Sequence, residues 1–223
     1  MAAPFRRIED MQQPAHTIII GSTISGKSHL LKYIFSKIGA RFDYGILFSS
    51  TVGLSRDYDY IPIKYQFATF DAEVVNKLIN KQRQYIQEWG KEKAPKVFII
   101  IDDCSGFFDR TKDGFALLEW LWTTGRHLNI SCFALLQQIT QLTPAIRSNT
   151  RYVFVTLTNA KNLEYLVQLV KGFDGKRDLK RYLDEVCVNY RVAAFDTHGV
   201  ASAQDSRFCI KAPARVRPFR LQY

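Results

Sequence analysis

Gly21-Ser-Thr-Ile-Ser-Gly26-Lys27-Ser28 constrains this chain more than any other stretch. It fits the pattern G-x-x-x-x-G-K-[ST], and its flanks narrow its meaning. Thr17-Ile-Ile-Ile runs straight in as a continuous apolar segment, the pattern of a strand buried on both faces of a parallel sheet. Straight out runs a segment with Leu30, Leu31, Ile34, Phe35 and Ile38 at helical spacing, stopped by Gly39. The two glycines let the backbone turn its N–H groups inward, and the helix N-terminus adds the positive end of its dipole. A strand–loop–helix of this kind grips phosphate. Gly21, Ser22, Thr23, Ile24, Ser25 and Gly26 form the grip, Lys27 reaches the β- and γ-phosphates of ATP, and the Ser28 hydroxyl binds Mg²⁺.

The second constraint is Val97-Phe-Ile-Ile-Ile-Asp102-Asp103, an aliphatic run closed by two carboxylates. Adjacent acids repel, so two ionised carboxylates at one strand end make sense beside a cation. Asp102 is the expected Mg²⁺ ligand and Asp103 the group that orients or deprotonates an attacking water. The long interval between Ser28 and Asp102 leaves room for further elements. It predicts a RecA-like core, in which another strand separates the loop strand from the acid strand.

Elsewhere, strand patterns alternate with helical ones. Strands are expected over 44–49, 130–136, 152–157 and 190–195, the last closing the sheet. Helices are expected after Asp71 as N-cap, over 115–122, and around Leu163, Leu166, Val167 and Val170. This alternation predicts an α/β fold with a mostly parallel sheet flanked by helices. The expected organisation is an N-terminal arm over 1–14, one ATPase domain over 15–205 and a basic C-terminal tail over 206–223.

Composition adds limits. The 223 residues, 47% apolar and 23% charged, suit one globular domain rather than a disordered chain. The apolar runs fall far short of the ~20 residues that span a bilayer, and the first ten residues carry no secretory pattern, so an intracellular protein with no membrane partner is expected. Cys104, Cys132, Cys187 and Cys209 are widely spaced and read as reduced thiols rather than a zinc or redox pair. Lys and Arg total 31 against 21 Asp and Glu, a net charge of +10, which favours a polyanionic partner.

A third stretch joins these two: Thr124-Gly-Arg126-His127 before a strand, Leu136-Gln137-Gln138 at its end, then Pro144-Ala-Ile-Arg147-Ser-Asn149. With the phosphate loop and the paired acids, this order resembles the genome-packaging ATPases of large eukaryotic DNA viruses (the poxvirus type), within the FtsK–HerA group of DNA-pumping ATPases. The resemblance covers roughly Thr17 to Val155. Phe48-Ser-Ser-Thr51 is similar to the family's Ser-Pro-Thr after the second strand, with Ser50 in place of the proline. By position, Gln138 corresponds to the family's sensor glutamine, with Gln137 as its rival. Arg126 and Arg147 are both candidates for an arginine acting in trans on a neighbour's nucleotide, and His127 reads as structural. The resemblance implies an ATP-hydrolysing motor that translocates double-stranded DNA, irrespective of sequence, into a capsid. It also implies a homo-oligomeric ring, a capsid or portal partner, and an infected host cell, nuclear or cytoplasmic, with virion association.

Two other functions fit a phosphate loop. A P-loop kinase of a small substrate needs an arginine-rich lid and an acceptor pocket, neither visible in the sequence. A non-enzymatic, nucleotide-dependent capsid or DNA adaptor needs only the grip.

Overall fold

The phosphate-loop strand takes its place in a sheet of eight. We describe the protein from a computed structural model over residues 7–102, 113–139, 142–198 and 206–222. In chain order the strands are β1 (Thr17–Ile20), β2 (Tyr44–Ser49), β3 (Gln66–Phe67), β4 (Val97–Asp102), β5 (Ile130–Leu136), β6 (Tyr152–Val155), β7 (Arg191–Asp196) and β8 (Arg207–Lys211). In space they run β3-β2-β4-β5-β1-β6-β7-β8. The pairs from β3 across to β6 are parallel, while β7 and β8 add antiparallel edges. The helices are α1 (Lys27–Ile38), α2 (Ala72–Trp89), α3 (Asp113–Thr124), α4 (Pro144–Ser148), α5 (Ala160–Leu169) and α6 (Lys176–Val186). This is the α/β architecture expected, with β5 between the loop strand β1 and the acid strand β4.

The aliphatic runs have the composition they do because both faces of the sheet are covered. Side chains alternate across a strand, so Ile18 and Ile20 of β1 and Val97, Ile99 and Ile101 of β4 enter one core, with α2, α3, α5 and α6 packed on it. Ile19, Phe98 and Ile100 enter the other. There the cover is thinner. The only α-helix contributing to that core among the described residues is α1, through Leu30, Leu31, Ile34, Phe35 and Ile38. The chain termini complete it. Ile8 and Met11 are 3% and 1% exposed, and Arg41 donates to the Met11 carbonyl at 2.6 Å. Near the other end, the Leu221 N–H donates to the Tyr60 carbonyl at 2.8 Å, and the Phe219 ring stacks on Tyr60 at 4.9 Å. Each side chain so buried contributes on the order of 1.5–3 kcal/mol.

Two elements differ from the sequence pattern. The sheet does not close at β7: β8 follows, within the segment expected as a basic tail. Its Phe208 and Ile210 alternate correctly for a half-buried strand, but the charges of Arg207 and Lys211 at its ends mask the pattern. Helix α6 was not expected. It buries Leu179 and Leu183 on one stripe amid mostly charged neighbours. Helix α2 has the expected ends: the Asp71 carboxylate accepts from the Glu73 and Val74 N–H groups, and Gly90 ends the helix at φ +78. No described helix is long and apolar enough to cross a membrane.

Candidate functional site

Strand register brings the chemistry to one edge. Ile20 lies beside Leu136 and Val155, and Asp102 lies beside Leu135 and Ser49. The phosphate loop, the first acid and the glutamine turn therefore share the carboxyl-terminal edge of a parallel sheet, where ligands of such sheets bind.

The loop is fastened to both neighbouring strands. The Gly21 N–H donates to the Leu136 carbonyl at 3.0 Å and the Ser22 N–H to Leu157 at 2.9 Å. Thr156, next after β6, donates from Oγ1 to Ser25 Oγ at 2.8 Å. Gly21 is required because a Cβ there would sit 1.8 Å from Thr156 Oγ1. Gly26 stands at φ +84 as the N-cap of α1, with no side chain capping it, so the first-turn N–H groups have no side-chain cap to compete with an anion. Ile24 is held at φ +60 and is 98% exposed, a left-handed conformation that a β-branched residue rarely adopts. Lys27 folds back over the loop, its Nζ donating to the Gly21 and Ser22 carbonyls at 2.9 and 2.8 Å. Both carbonyls are exchangeable for phosphate oxygens, which carry more negative charge.

Ser28 and Asp102 meet through a residue the sequence did not single out. The Tyr58 hydroxyl donates to Asp102 Oδ2 at 2.6 Å and has the Ser28 hydroxyl beside it. Tyr58 is 3% exposed and Asp102 6%. Burial, and then the Asp102 charge, push the Tyr58 phenol well above its ordinary pKa, so it stays protonated as a donor. One hydroxyl thus touches both groups assigned to Mg²⁺. The donor set suits that ion: a serine hydroxyl and one carboxylate, hard oxygens that leave positions for phosphate and water. No cluster of three or more His, Cys, Asp or Glu exists among the described residues that would form an all-protein metal cage instead. Asp103 lies outside the described residues.

Gln137 and Gln138 follow β5 directly and are exposed. Their backbone is bolted to α5 by Asn162, 1% exposed. Asn162 Nδ2 donates to the Gln137 carbonyl at 2.9 Å, and its Oδ1 accepts from the Ile139 N–H at 2.9 Å. The sequence offered no sign of this clamp, because Asn162 reads as one more polar residue in a helix's first turn.

The two arginines lie elsewhere. Arg126 sits in the 3-10 turn Gly125–Leu128 that precedes β5, at the opposite edge of the sheet, about 20 Å of strand from the loop. It donates to Asn149 Oδ1 at 3.2 Å, which joins two pieces of the third sequence stretch. Arg147, on α4, donates to the Leu142 carbonyl at 2.7 Å and lies 4.8 Å from the Tyr165 ring centre. His127 is exposed. Trp122 is core, its Nε1 donating to Thr150 Oγ1 at 3.1 Å.

Comparison with known proteins adds the relationship. The family model described as Poxvirus A32 protein matches residues 2–214. The chain belongs to that family. Among curated relatives of this A32-family chain, an uncharacterized protein, 075L, of Invertebrate iridescent virus 6 is 29% identical over 192 residues, 85% of this chain and 71% of that protein. Uncharacterized protein 015R of Frog virus 3 is 27% identical over 210 residues, and the match spans 91% of this chain but 64% of that protein. Among solved structures, the genome packaging NTPase B204 from Sulfolobus turreted icosahedral virus 2, in complex with AMPPCP, superposes with a TM-score of 0.63 at 14% identity. The match covers 91% of this chain and 100% of B204. EssC (ATPases 2 and 3) from Geobacillus thermodenitrificans gives 0.61 at 13% identity, covering 92% of this chain and 41% of that one. At these identities the likeness is one of fold.

Proposed function

We propose that this A32-family chain is a Mg²⁺-dependent ATPase that translocates double-stranded DNA in viral genome packaging. The observation that carries the proposal is the convergence of the phosphate loop with Asp102 on the Tyr58 hydroxyl, at the carboxyl edge of a sheet shared with a packaging NTPase. On this reading Lys27 leaves the Gly21 and Ser22 carbonyls for the β- and γ-phosphates, and the loop N–H groups hold the remaining oxygens. Ser28 and Asp102 would hold Mg²⁺, which would supply positive charge against the phosphates. Asp103 orients the attacking water and takes its proton. Gln138, or Gln137 beside it, reports the γ-phosphate to α5 through the Asn162 clamp.

Arg126 or Arg147 completes the site of the next subunit in a homo-oligomeric ring. The placement of Arg126 at the far edge of its own sheet supports an action in trans. An arginine so placed can contribute ~10³–10⁵ in rate. The net charge of +10 suits contacts to DNA phosphates without regard to sequence, and a capsid or portal protein is the expected docking partner.

The test is steady-state phosphate release with and without duplex DNA across a salt series. Duplex DNA is expected to raise turnover, and the stimulation to fall as salt rises. Tight ATP binding without turnover in every condition would leave a nucleotide-dependent adaptor. Phosphoryl transfer to a nucleoside monophosphate would leave a kinase.

A further inference from the structure

A triphosphate grip holds only one end of a nucleotide, and the surface around this one has an unusual neighbour. Tyr190, in the turn between α6 and β7, is 89% exposed at φ +62, directly after Asn189 at φ +54. Asparagine adopts the left-handed region readily; tyrosine does so only where its surroundings impose it. In this conformation Tyr190 borders two hollows beside the phosphate loop. One, of about 380 Å³, is lined by Ser25 and Gly26 of the loop, His29 and Leu30 of α1, Tyr190 and the segment after β8. The other, of about 390 Å³, is lined by Ile24, Ser25, Leu157 and Tyr190. Ser25, Tyr190 and Val192 belong to both.

The chemistry of these walls is that of a base site. They are mostly apolar, with Ile24 98% and Leu157 62% exposed, and they offer an aromatic face beside the loop. The outer wall is fixed in place: His29 Nε2 lies 2.7 Å from the Pro213 carbonyl, tying the segment after β8 to the first turn of α1. A hollow of this size, apolar with a few polar groups and continuous with a phosphate grip, suits a planar heterocycle stacked on an aromatic ring.

We infer that the Tyr190 hollow is the base-binding half of the nucleotide site, in which the Tyr190 ring stacks on a purine base while Pro213 and its neighbours form the opposite wall. The inference rests on the reading of Gly21–Ser28 as a triphosphate grip, and the experiment separates the two. Dissociation constants are measured for ATP and for inorganic tripolyphosphate, which has no base, on the wild type, Tyr190→Ala, Tyr190→Phe and Lys27→Ala. Tyr190→Ala is expected to weaken ATP at least about fivefold and leave tripolyphosphate unchanged. Tyr190→Phe is expected to retain ATP affinity, and Lys27→Ala to weaken both ligands. If ATP binds Tyr190→Ala as it binds the wild type, the base site is overturned while the phosphate grip stands. If the wild type binds no tripolyphosphate, or Lys27→Ala affects neither ligand, the grip itself fails and the base site with it.

Discussion

At Gly21 the hydrogen atom in place of a side chain is what lets three elements meet. Thr156 Oγ1 occupies the space a Cβ would take, with Ser25 Oγ 2.5 Å from that position as well. Gly21→Ala is therefore expected to cost about 1–3 kcal/mol of stability by overpacking, and to abolish ATP binding by dislodging the loop. Adding Thr156→Ala removes the nearest clash and should restore part of the stability in urea unfolding. A Gly21→Ala protein as stable as the wild type would contradict the packing described. The glycine was legible in the sequence because the loop pattern names it. Its reason was not, since Thr156 lies far along the chain and reads as an ordinary residue after a strand. Tyr58 was hidden in the same way: nothing in Arg56-Asp57-Tyr58-Asp59-Tyr60 says that one phenol reaches Asp102 across the sheet edge. Periodicity reports which face a residue occupies; it carries no information on which distant polar atom that residue will meet.

Elements with strong periodicity were the readable ones. β1, β4 and β5 are continuous apolar runs because both their faces are covered, and α1 and α2 bear clear apolar stripes with recognisable ends. β8 and α6 were missed because charge dilutes their patterns at the sheet's edge. The start of β1 has a property no pattern shows. His16 is fully buried, its Nδ1 accepting from the Cys132 N–H at 3.2 Å and its ring centre 5.3 Å from that of Trp122. Its Nε2 has no hydrogen-bond partner. Burial foremost, then the positive charges of Arg126 and His198, push its pKa down to about 3. The unfolded chain binds this proton near pH 6.5 and the folded chain does not, so stability falls as pH drops from about 6.5 towards 3. Between pH 7 and pH 5 the loss from this group is about 2 kcal/mol. His16→Gln, measured by urea unfolding at both pH values, should shrink the difference between them by about that amount. An unchanged difference would show that His16 is not the group responsible.

For the whole molecule, the two faces of the sheet are unequal, and that inequality explains the chain ends. Where α1 is the only α-helical cover among the described residues, Ile8, Met11, Phe219 and Leu221 are drawn in from near the termini. The segment after β8 consequently runs past the phosphate loop, where His29 holds it. The loop pattern and the aliphatic runs made the parallel centre of the sheet legible, with β5 between β1 and β4. The sequence left open which of Arg126 and Arg147 would act in the proposed ring, because a single chain does not present that contact.

On the proposed reading, Ser28 and Asp102 hold one cation against one triphosphate. This is tested most directly by a double-mutant cycle on ATP affinity, using wild type, Ser28→Ala, Asp102→Asn and the double variant, each with Mg²⁺ and with EDTA. With Mg²⁺, each single change is expected to weaken binding and the double change to add little, a coupling of about 0.5–3 kcal/mol, and this coupling is expected to vanish in EDTA. Additive losses with Mg²⁺, or the same coupling in EDTA, would contradict it.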